Sequence, residues 1–395
     1  MGQSGVLRGV EKEMARVIQC IADNVVSPLG RTSMENYVNV KAGCSGLARF
    51  EEMDRVSSPF MLSRIDRYVM DELCIGLDIP DGKYTFFEKM LLTSSIQAVR
   101  KSGIDPSSDR VLFIISTTKG NVSLLDRDVK GFPQERVLLG KSASMVSRYF
   151  GNPNAPVVVC NACISGVCAQ IEAMRALQSG RYDYAVVIGA DEQSPFIISG
   201  FLSFKALTDT PCRPFDKDRT GLNLGECAAT VVLKASDAPA CGWVLEGGAI
   251  RNDANHISGP SRTGEGSYLA LMEVLRKCGR EGLAFVNVHG TATAYNDEME
   301  SIALYRAGLI DVPVTGLKGY YGHTMGAAGI MESILSMYAV QDGTVLATRG
   351  YAEQGVTYPV NVSPENRPAH GNRFIKLLSG FGGCNAALSY AYYSK

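Results

Sequence analysis

The sequence predicts an α/β fold built from two similar halves. Short β-branched runs alternate with longer segments of helical spacing, a pattern typical of α/β proteins with a largely buried sheet. Two segments also repeat one design, in which an apolar strand passes through a tight turn into a helix of small residues: PVVVCNACISGVCAQIEAMRAL and VPVTGLKGYYGHTMGAAGIMESILSMY. We interpret the repeat as an internal duplication, with coincidence between two α/β units as the alternative.

The predicted elements follow from hydrophobic periodicity. Strands are expected in the β-branched runs, at residues 110–116, 156–160, 184–190, 230–233, 285–288 and 374–378. Helices are expected at residues 86–102, 135–150, 165–179, 268–278 and 325–341. The halves are predicted to be residues 15–240 and 241–395. The two Gly/Ala-rich helices are expected to meet at a pseudo-dyad, because small side chains let backbones approach closely.

Composition limits the function classes. The 39 basic and 40 acidic residues give a net charge of -1, without the positive excess typical of nucleic-acid binding. Eleven scattered cysteines suit a reducing compartment, so we expect a cytoplasmic protein. The first 19 residues carry charges too closely spaced for a signal peptide, and Val6 breaks the myristoylation pattern. No apolar run approaches the roughly 20 residues of a membrane span, so no membrane association is expected.

Cys163 is the candidate nucleophile. It follows the strand PVVVC and lies where the next helix begins, in NACISGVCAQ. A thiol at a helix N-terminus is biased toward thiolate, and nearby free N–H groups can hold the oxyanion formed when a thioester is attacked. A buried structural cysteine is the alternative. Cys160 and Cys163 also form C-x-x-C, but no second pair or suitably spaced histidine supports a zinc site.

Histidine is scarce, which makes each position informative. Of the four, His289 and His323 lie in the segments HGTAT and KGYYGH, where a strand ends and a loop begins. His256 and His370 are interpreted as structural or exposed. Together with Cys163, the first pair supplies one nucleophile and two imidazoles.

At these residues the chain resembles the beta-ketoacyl-acyl-carrier-protein synthases, within the thiolase-like condensing enzymes. The resemblance covers nearly the whole length. It is carried by Val26-Ser-Pro-Leu-Gly30, Cys163 with its helix, Arg213-Pro-Phe-Asp-Lys-Asp-Arg219, Gly225-Glu226, His289-Gly-Thr, Lys318 to His323, Gly326-Ala-Ala-Gly329 with Glu332, and Gly380-Phe-Gly-Gly-Cys-Asn385.

The resemblance implies a thiolase-like fold of two similar halves in five αβαβα layers, usually a homodimer, with a heterodimer of related subunits also possible. One branch of this family uses Cys, His and Asn, whereas the branch with two histidines and a lysine elongates chains on acyl-carrier protein. His289, His323 and Lys318 are typical of the second branch.

The resemblance also implies a role for each site residue. Cys163 would hold the acyl group, and its N–H would form an oxyanion hole with that of Phe381. His289 and His323 would donate Nε2–H to the malonyl thioester oxygen during decarboxylation. Lys318 would orient this site, with Glu332 as its partner. Thr291 and Thr293 match positions that bind the pantetheine arm. No tightly bound cofactor or metal is implied, because phosphopantetheine arrives on the carrier protein.

Four acidic residues and one phenylalanine are interpreted from their positions in the sequence. Asp297 and Glu300 match acidic positions of the family, but two solvated acids at a helix start would explain them too. Asp216 and Glu226 are expected to stabilise a loop. Phe381 is interpreted as a gate over Cys163, because the surrounding glycines allow backbone movement. A packed phenylalanine in a tight turn is the alternative.

The pattern departs from the family at a few positions. Ala292, Asn161 and Ile164 are tolerable changes beside the expected catalytic residues. Lys119, in STTKGN after the strand 110–116, stands where relatives have a glycine-rich stretch near the acyl pocket. If it faces the pocket, a plain alkyl chain is a poor occupant, because a buried unpaired ammonium is costly. If it faces solvent, nothing follows.

The resulting hypothesis is decarboxylative Claisen condensation of acyl and malonyl thioesters, in fatty-acid or related polyketide or polyene synthesis. Two other classes compete with it. A non-elongating partner subunit, like the chain-length factors, would lack the nucleophile, so Cys163 argues against it. A coenzyme A-dependent thiolase would replace the second histidine region with a cysteine motif, so His323 and Lys318 argue against that.

Overall fold

The computed structural model describes residues 16–53, 56–125, 131–238 and 241–394. The first fifteen residues, which enter the expectation that no signal peptide is present, lie outside the described residues, as does the predicted boundary at residue 240. No helix in the described ranges is both long and apolar enough to cross a membrane.

The described residues form fifteen strands. These are Val17–Val26 (β1), Leu47–Phe50 (β2), Phe60–Ser63 (β3), Val111–Ser116 (β4), Val157–Val159 (β5), Tyr184–Asp191 (β6), Leu224–Gly225 (β7), Cys227–Ser236 (β8), Gly242–Asn252 (β9), Leu283–Asn287 (β10), Val314–Thr315 (β11), Thr344–Val345 (β12), Arg367–Pro368 (β13), Arg373–Gly380 (β14) and Cys384–Tyr393 (β15).

They also form ten α-helices and three 3₁₀ turns. The helices are Ser33–Lys41 (α1), Arg67–Gly76 (α2), Phe86–Ser102 (α3), Leu139–Tyr149 (α4), Ser165–Gln178 (α5), Pro195–Ser203 (α6), Glu265–Cys278 (α7), Ala294–Arg306 (α8), Lys318–Tyr321 (α9) and Ala328–Gln341 (α10). The 3₁₀ turns are Val122–Leu125, Gln134–Val137 and Met325–Ala327.

Local sequence explains why α3 matches its prediction. Thr85 and Glu88 form a capping box, in which each side chain accepts a hydrogen bond from the other residue's main-chain N–H. Gly103 ends the helix in the left-handed conformation at φ 69°. The predicted helix 135–150 instead divides at Leu138, whose extended backbone separates a 3₁₀ turn from α4.

Ten strands form one mixed sheet whose two halves share one topology. The order is β5-β4-β6-β8-β1 in the first half and β11-β10-β14-β15-β9 in the second. In both halves the three outer strands are parallel and the next two pairings are antiparallel. The halves join where β1 pairs with β9 over two residue pairs. The prediction of two similar halves is confirmed, while the boundaries 15–240 and 241–395 stay a prediction.

Helices α5 and α10 lie between the two sheet halves, α3 and α4 cover the first half, and α7 and α8 cover the second. This arrangement gives the five layers that the resemblance implies. The two central helices meet at glycine: a Cβ added to Gly329 would lie 2.5 Å from the main-chain nitrogen of Val167, and one added to Gly166 would lie 3.0 Å from Gly329 Cα. The predicted close approach at the pseudo-dyad is therefore confirmed.

Candidate active site

Cys163 lies in a tight turn between β5 and α5. Ala162 adopts a positive φ of 45°, which is uncommon for a residue with a side chain. Ser165 Oγ accepts a hydrogen bond from Asn161 N over 2.8 Å and donates one to the carbonyl oxygen of Ala162 over 2.6 Å. The turn therefore holds Cys163 at the bottom of a cleft, with 8% of its surface exposed.

The structure brings Cys163 together with both predicted histidines. Its Sγ and one ring nitrogen from each of His289 and His323 all lie within 4.8 Å of one another. The imidazole centroids are 5.1 Å apart and the rings are nearly perpendicular, at 81°. His289 lies in the loop after β10, and His323 lies in the loop after α9. Both imidazoles therefore come from loops of the second half of the chain. The three groups are therefore close enough to act on one bound substrate.

A hydrogen bond determines which nitrogen of His323 carries the proton in the neutral ring. The main-chain N–H of Met325 donates to His323 Nδ1 over 3.3 Å, so the neutral ring carries its proton on Nε2. That Nε2 is buried and has no hydrogen-bond partner among the described residues. Burial, and then the nearby Lys318 charge, hold the pKa of both histidines well below the usual value of 6.5. Both rings are thus neutral at physiological pH, and the Nε2–H of His323 is free to donate to a substrate oxygen.

A buried ion cluster lies directly behind His289. Lys318 Nζ donates to the carbonyl oxygen of His289 over 2.6 Å and pairs with Glu332 Oε1 at 3.0 Å. The other carboxylate oxygen of Glu332 pairs with Lys376, which donates to Asn287 Oδ1 at 2.8 Å. Lys376 was not predicted from sequence, although a lysine inside the apolar run FIKLL was a visible signal. Two cations therefore share one carboxylate beneath the imidazole.

Asp297 and Glu300 hold the loop that carries His289. Glu300 accepts hydrogen bonds from the N–H groups of His289 and Gly290 over 2.6 and 2.7 Å. Asp297 accepts from the N–H of Thr291 over 3.0 Å. The interpretation of both as solvated acids at a helix start is wrong, because each is fully buried. Burial and the neighbouring Asp297 raise the pKa of Glu300 to about 7.

The prediction of a thiolate-biased cysteine is also wrong. Burial raises the pKa of Cys163 to about 11, although the charges of Lys318 and Lys119 and the N–H of Phe381 lower it. Removing the thiolate from water thus outweighs the donors and cations around it. The thiol is protonated in the free protein. The oxyanion hole formed by the N–H groups of Cys163 and Phe381 stays a prediction.

Two cavities open from Cys163, and three phenylalanines lie between them. The first, of about 640 Å³, is lined by residues that include Lys119, Ile197 and Met325. The second, of about 540 Å³, is lined by residues that include His289, His323, Thr291, Thr293 and the exposed His256. Phe381, Phe201 and Phe204 line both, and the Phe381 ring centroid lies 5.9 and 5.3 Å from those of the other two.

Asp191 was also missed, although it directly follows the predicted strand YAVVIGA and ends β6. It is fully buried and accepts hydrogen bonds from the N–H groups of Thr118, Lys119 and Gly326. It therefore ties the loop after β4 to the 3₁₀ turn Met325–Ala327, and Lys119 and Met325 of these two segments line the first cavity. Its role depends on residues far away in sequence, so no local pattern indicated it.

The remaining predicted residues have simple positions. The Thr291 and Thr293 hydroxyls are 2.9 Å apart on the wall of the second cavity. Asp216 and Glu226 each accept main-chain N–H groups from two segments, as expected for loop-stabilising acids. His370 is exposed.

One donor set in the described ranges has the spacing of a metal site, and it is the same group of Cys163, His289 and His323. One thiolate and two imidazoles are chemically suitable ligands for zinc. Cys160 is exposed and does not join this group, so the C-x-x-C pair does not form a site by itself among the described residues.

Comparison with known proteins identifies the family. Two family models match, described as beta-ketoacyl synthase, N-terminal domain, over residues 75–238, and beta-ketoacyl synthase, C-terminal domain, over residues 243–352. The chain is 30% identical to the tetracenomycin polyketide synthase ketoacyl synthase alpha subunit of Streptomyces glaucescens, over 74% of this chain and 77% of that protein. It is 28% identical to 3-oxoacyl-[acyl-carrier-protein] synthase 2 of Vibrio cholerae, over 93% of this chain and 96% of that protein.

A solved structure described as the ishigamide ketosynthase/chain length factor superposes with a TM-score of 0.85 at 25% identity, covering 96% of this chain and 100% of the other. With the thiolase-like fold and the Cys-His-His site already described, the matches lead to one conclusion. The chain belongs to the beta-ketoacyl synthase family, the acyltransferases that extend acyl chains as 3-oxoacyl-acyl-carrier-protein synthases or as polyketide ketosynthases.

Proposed function

We propose that this chain holds an acyl group on Cys163 and condenses it with malonyl-acyl-carrier protein, in fatty-acid, polyketide or polyene synthesis. The observation that carries the proposal is the convergence of Cys163 Sγ and two imidazole nitrogens within 4.8 Å. A nucleophile and two neutral donors at this distance suit a reaction with an acyl-enzyme stage followed by decarboxylation.

In the first half-reaction, the sulfur of Cys163 attacks the carbonyl carbon of the incoming acyl thioester. The N–H groups of Cys163 and Phe381 stabilise the oxyanion. When the intermediate collapses, the bond from the carbonyl carbon to the carrier sulfur breaks, and the proton from Cys163 ends on the departing carrier thiol. The acyl group remains on the enzyme as a thioester.

In the second half-reaction, malonyl thioester loses carbon dioxide, and the electron pair of the broken bond becomes an enolate. His289 and His323 donate N–H to its oxygen, while Lys318 and Glu332 fix the His289 main chain. The enolate carbon then attacks the acyl carbonyl on Cys163. The carbon–sulfur bond breaks, the 3-oxoacyl product stays on the carrier, and the Cys163 thiolate takes a proton from solvent.

The carrier's phosphopantetheine arm is proposed to enter the second cavity, where Thr291 and Thr293 present hydroxyl groups. The acyl chain is proposed to extend into the first, more apolar cavity. Support for an acyl-carrier protein as partner comes from the name of the Vibrio cholerae relative. No cofactor held by the protein itself enters this scheme.

The chain is proposed to work as a dimer in the cytoplasm. Strand β5 is an edge of the ten-stranded sheet and is half-exposed, which leaves backbone groups available to a second chain. The chain carries the complete Cys-His-His set and needs no second type of subunit to supply a catalytic residue, so a homodimer is proposed over a heterodimer. All eleven cysteines are free, as a reducing compartment requires. Native mass spectrometry of the purified chain, with and without related subunits, tests the assembly.

Intact mass spectrometry tests the reaction. The wild-type chain, incubated with a panel of acyl-carrier proteins, should gain the mass of one acyl group, and Cys163→Ala should gain none while keeping its fold. Addition of malonyl-carrier protein should then release a 3-oxoacyl product. Absence of both acylation and condensation would favour a non-elongating partner subunit, and condensation by Cys163→Ala would show that the nucleophile is assigned wrongly.

A further inference from the structure

Lys119 lies on the wall of the first cavity, beside Cys163. Its backbone is held in place because the N–H groups of Thr118 and Lys119 both donate to the buried carboxylate of Asp191, over 3.0 to 3.2 Å. Gly120 follows with a positive φ of 56° and packs so closely on Leu139 that an added Cβ would lie 2.5 Å from its Cδ2. The loop is therefore fixed, and only the lysine side chain is free to adapt to an occupant.

The ammonium of Lys119 has little to bind in the empty cavity. Its Nζ donates to the carbonyl oxygen of Thr118 over 3.3 Å and makes no ion pair with a carboxylate of the described residues. The wall around it is mostly apolar, with contributions from Pro195, Phe196, Ile197, Phe201 and Met325. An ammonium with three donors thus faces a cavity that supplies it with one weak acceptor.

An unbranched hydrocarbon chain in the first cavity would leave the Lys119 ammonium with fewer hydrogen-bond acceptors than it has in the empty cavity. It would displace water from the half-buried ammonium and would supply no acceptor in exchange. A chain that carries an oxygen would instead replace the lost water with a charge-assisted hydrogen bond in a water-poor site, where such bonds are strongest.

We infer that the first cavity selects acyl chains that carry a hydrogen-bond-accepting oxygen, such as a hydroxyl or a carboxylate, and that Lys119 is the residue that selects them. The inference rests on the proposed function, because it requires an acyl chain that extends from Cys163 into this cavity. Lys119 is a specificity-determining residue in this scheme and takes no part in bond making. A site built to hydrogen-bond a substrate oxygen rejects analogues that lack it far more strongly than an apolar pocket rejects a longer chain.

Matched thioesters test the inference. Carrier-bound hydrocarbon, ω-hydroxy and ω-carboxy chains of short, medium and long length are compared for the rate at which they acylate Cys163, measured by intact mass spectrometry. At the length that lets the oxygen reach Lys119, the oxygenated chain should react roughly 10-fold faster or more than its hydrocarbon match. A preference for the ω-carboxy chain alone identifies an anionic partner, whereas a preference for both identifies a neutral oxygen as sufficient.

Lys119→Met should remove this preference by accelerating the hydrocarbon chains and slowing the oxygenated ones. Lys101→Met is the matched control, because Lys101 lies in the last turn of α3 on the outer layer, with 55% of its side chain exposed and only a long ion pair to Asp23 at 3.7 Å. If hydrocarbon and oxygenated chains acylate Cys163 at equal rates at every length while condensation is intact, the inference about Lys119 is overturned and the proposed function stands. If no chain at all acylates Cys163, the proposed function fails and the inference fails with it.

Discussion

Lys318 Nζ lies 2.6 Å from the carbonyl oxygen of His289, so a buried cation holds the main chain of one imidazole of the site. The same lysine pairs with Glu332, and Lys376 pairs with that carboxylate from the other side. Burial is the main reason why the pKa values of both histidines lie well below 6.5, and the charges of Lys318 and Lys376 lower these pKa values further.

The first prediction concerns Lys376 and the stability of the fold. Burial lowers its pKa from 10.5 to about 8, so between those values the unfolded chain binds more protons at this group than the folded chain. The contribution of Lys376 to the free energy of unfolding therefore rises with pH between about 8 and 10.5, and it is lowest below pH 8. The free energy of unfolding of the wild type, measured relative to Lys376→Met by urea denaturation, should increase from about pH 8 to about pH 10. A pH-independent difference would contradict the assignment.

The second prediction concerns the two imidazoles. His323→Ala should reduce malonyl decarboxylation by roughly 10² or more, the usual loss for one oxyanion donor, and His289→Ala should do the same. Self-acylation of Cys163 should suffer less. His323→Gln should retain more activity than His323→Ala, because its amide can place an N–H near the former Nε2. Equal loss of both half-reactions in every variant would indicate a structural role instead.

The third prediction concerns the pH dependence of malonyl decarboxylation. Because both histidines have pKa values well below 6.5, neither should titrate near neutrality. Decarboxylation, measured as carbon dioxide release by the Cys163→Ala variant, should stay level as pH falls from about 8 to about 6. A step centred near pH 6.5 that disappears in one histidine variant would show that this imidazole is solvated and has an ordinary pKa.

Cys163 itself provides a fourth prediction. Because burial raises its pKa to about 11, its alkylation by iodoacetamide should accelerate roughly tenfold per pH unit through pH 9. Peptide mass spectrometry after timed quenching gives the rate at this residue, and the exposed Cys44 shows that the reagent is active throughout. A plateau near pH 7 would mean that the helix N-terminus stabilises the thiolate after all.

The fifth prediction concerns Phe381, whose ring lies between the two cavities against Phe201 and Phe204. If it is a gate, Phe381→Ala should alter the order of substrate binding and should release carbon dioxide from malonyl-carrier protein faster when no acyl chain is present. Acylation and decarboxylation are measured separately, with thermal unfolding as the control for stability. Equal loss of both rates with a lowered Tm would leave Phe381 as a packing residue.

The sequence by itself determined the elements whose signals are local. Helix α3 was predictable to the residue because its capping box, apolar face and terminal glycine are all contained in one segment. Cys163, His289 and His323 were predictable as a set because each lies in a connecting segment after a strand, the usual place for functional groups in α/β proteins, although the short helix α9 lies between β11 and His323. The pairing of two Gly/Ala helices was predictable from the repeat.

Only the tertiary structure decided which residues are buried and which side chains contact each other, because both depend on residues distant in sequence. Local spacing made Asp297 and Glu300 look like solvated acids, but packing buries both beneath the His289 loop. The helix N-terminus favoured a thiolate at Cys163, but the surrounding protein removes the water that a thiolate needs. The orientation of Lys119 was open for the same reason, because a pattern along one chain cannot show which cavity wall a side chain will join.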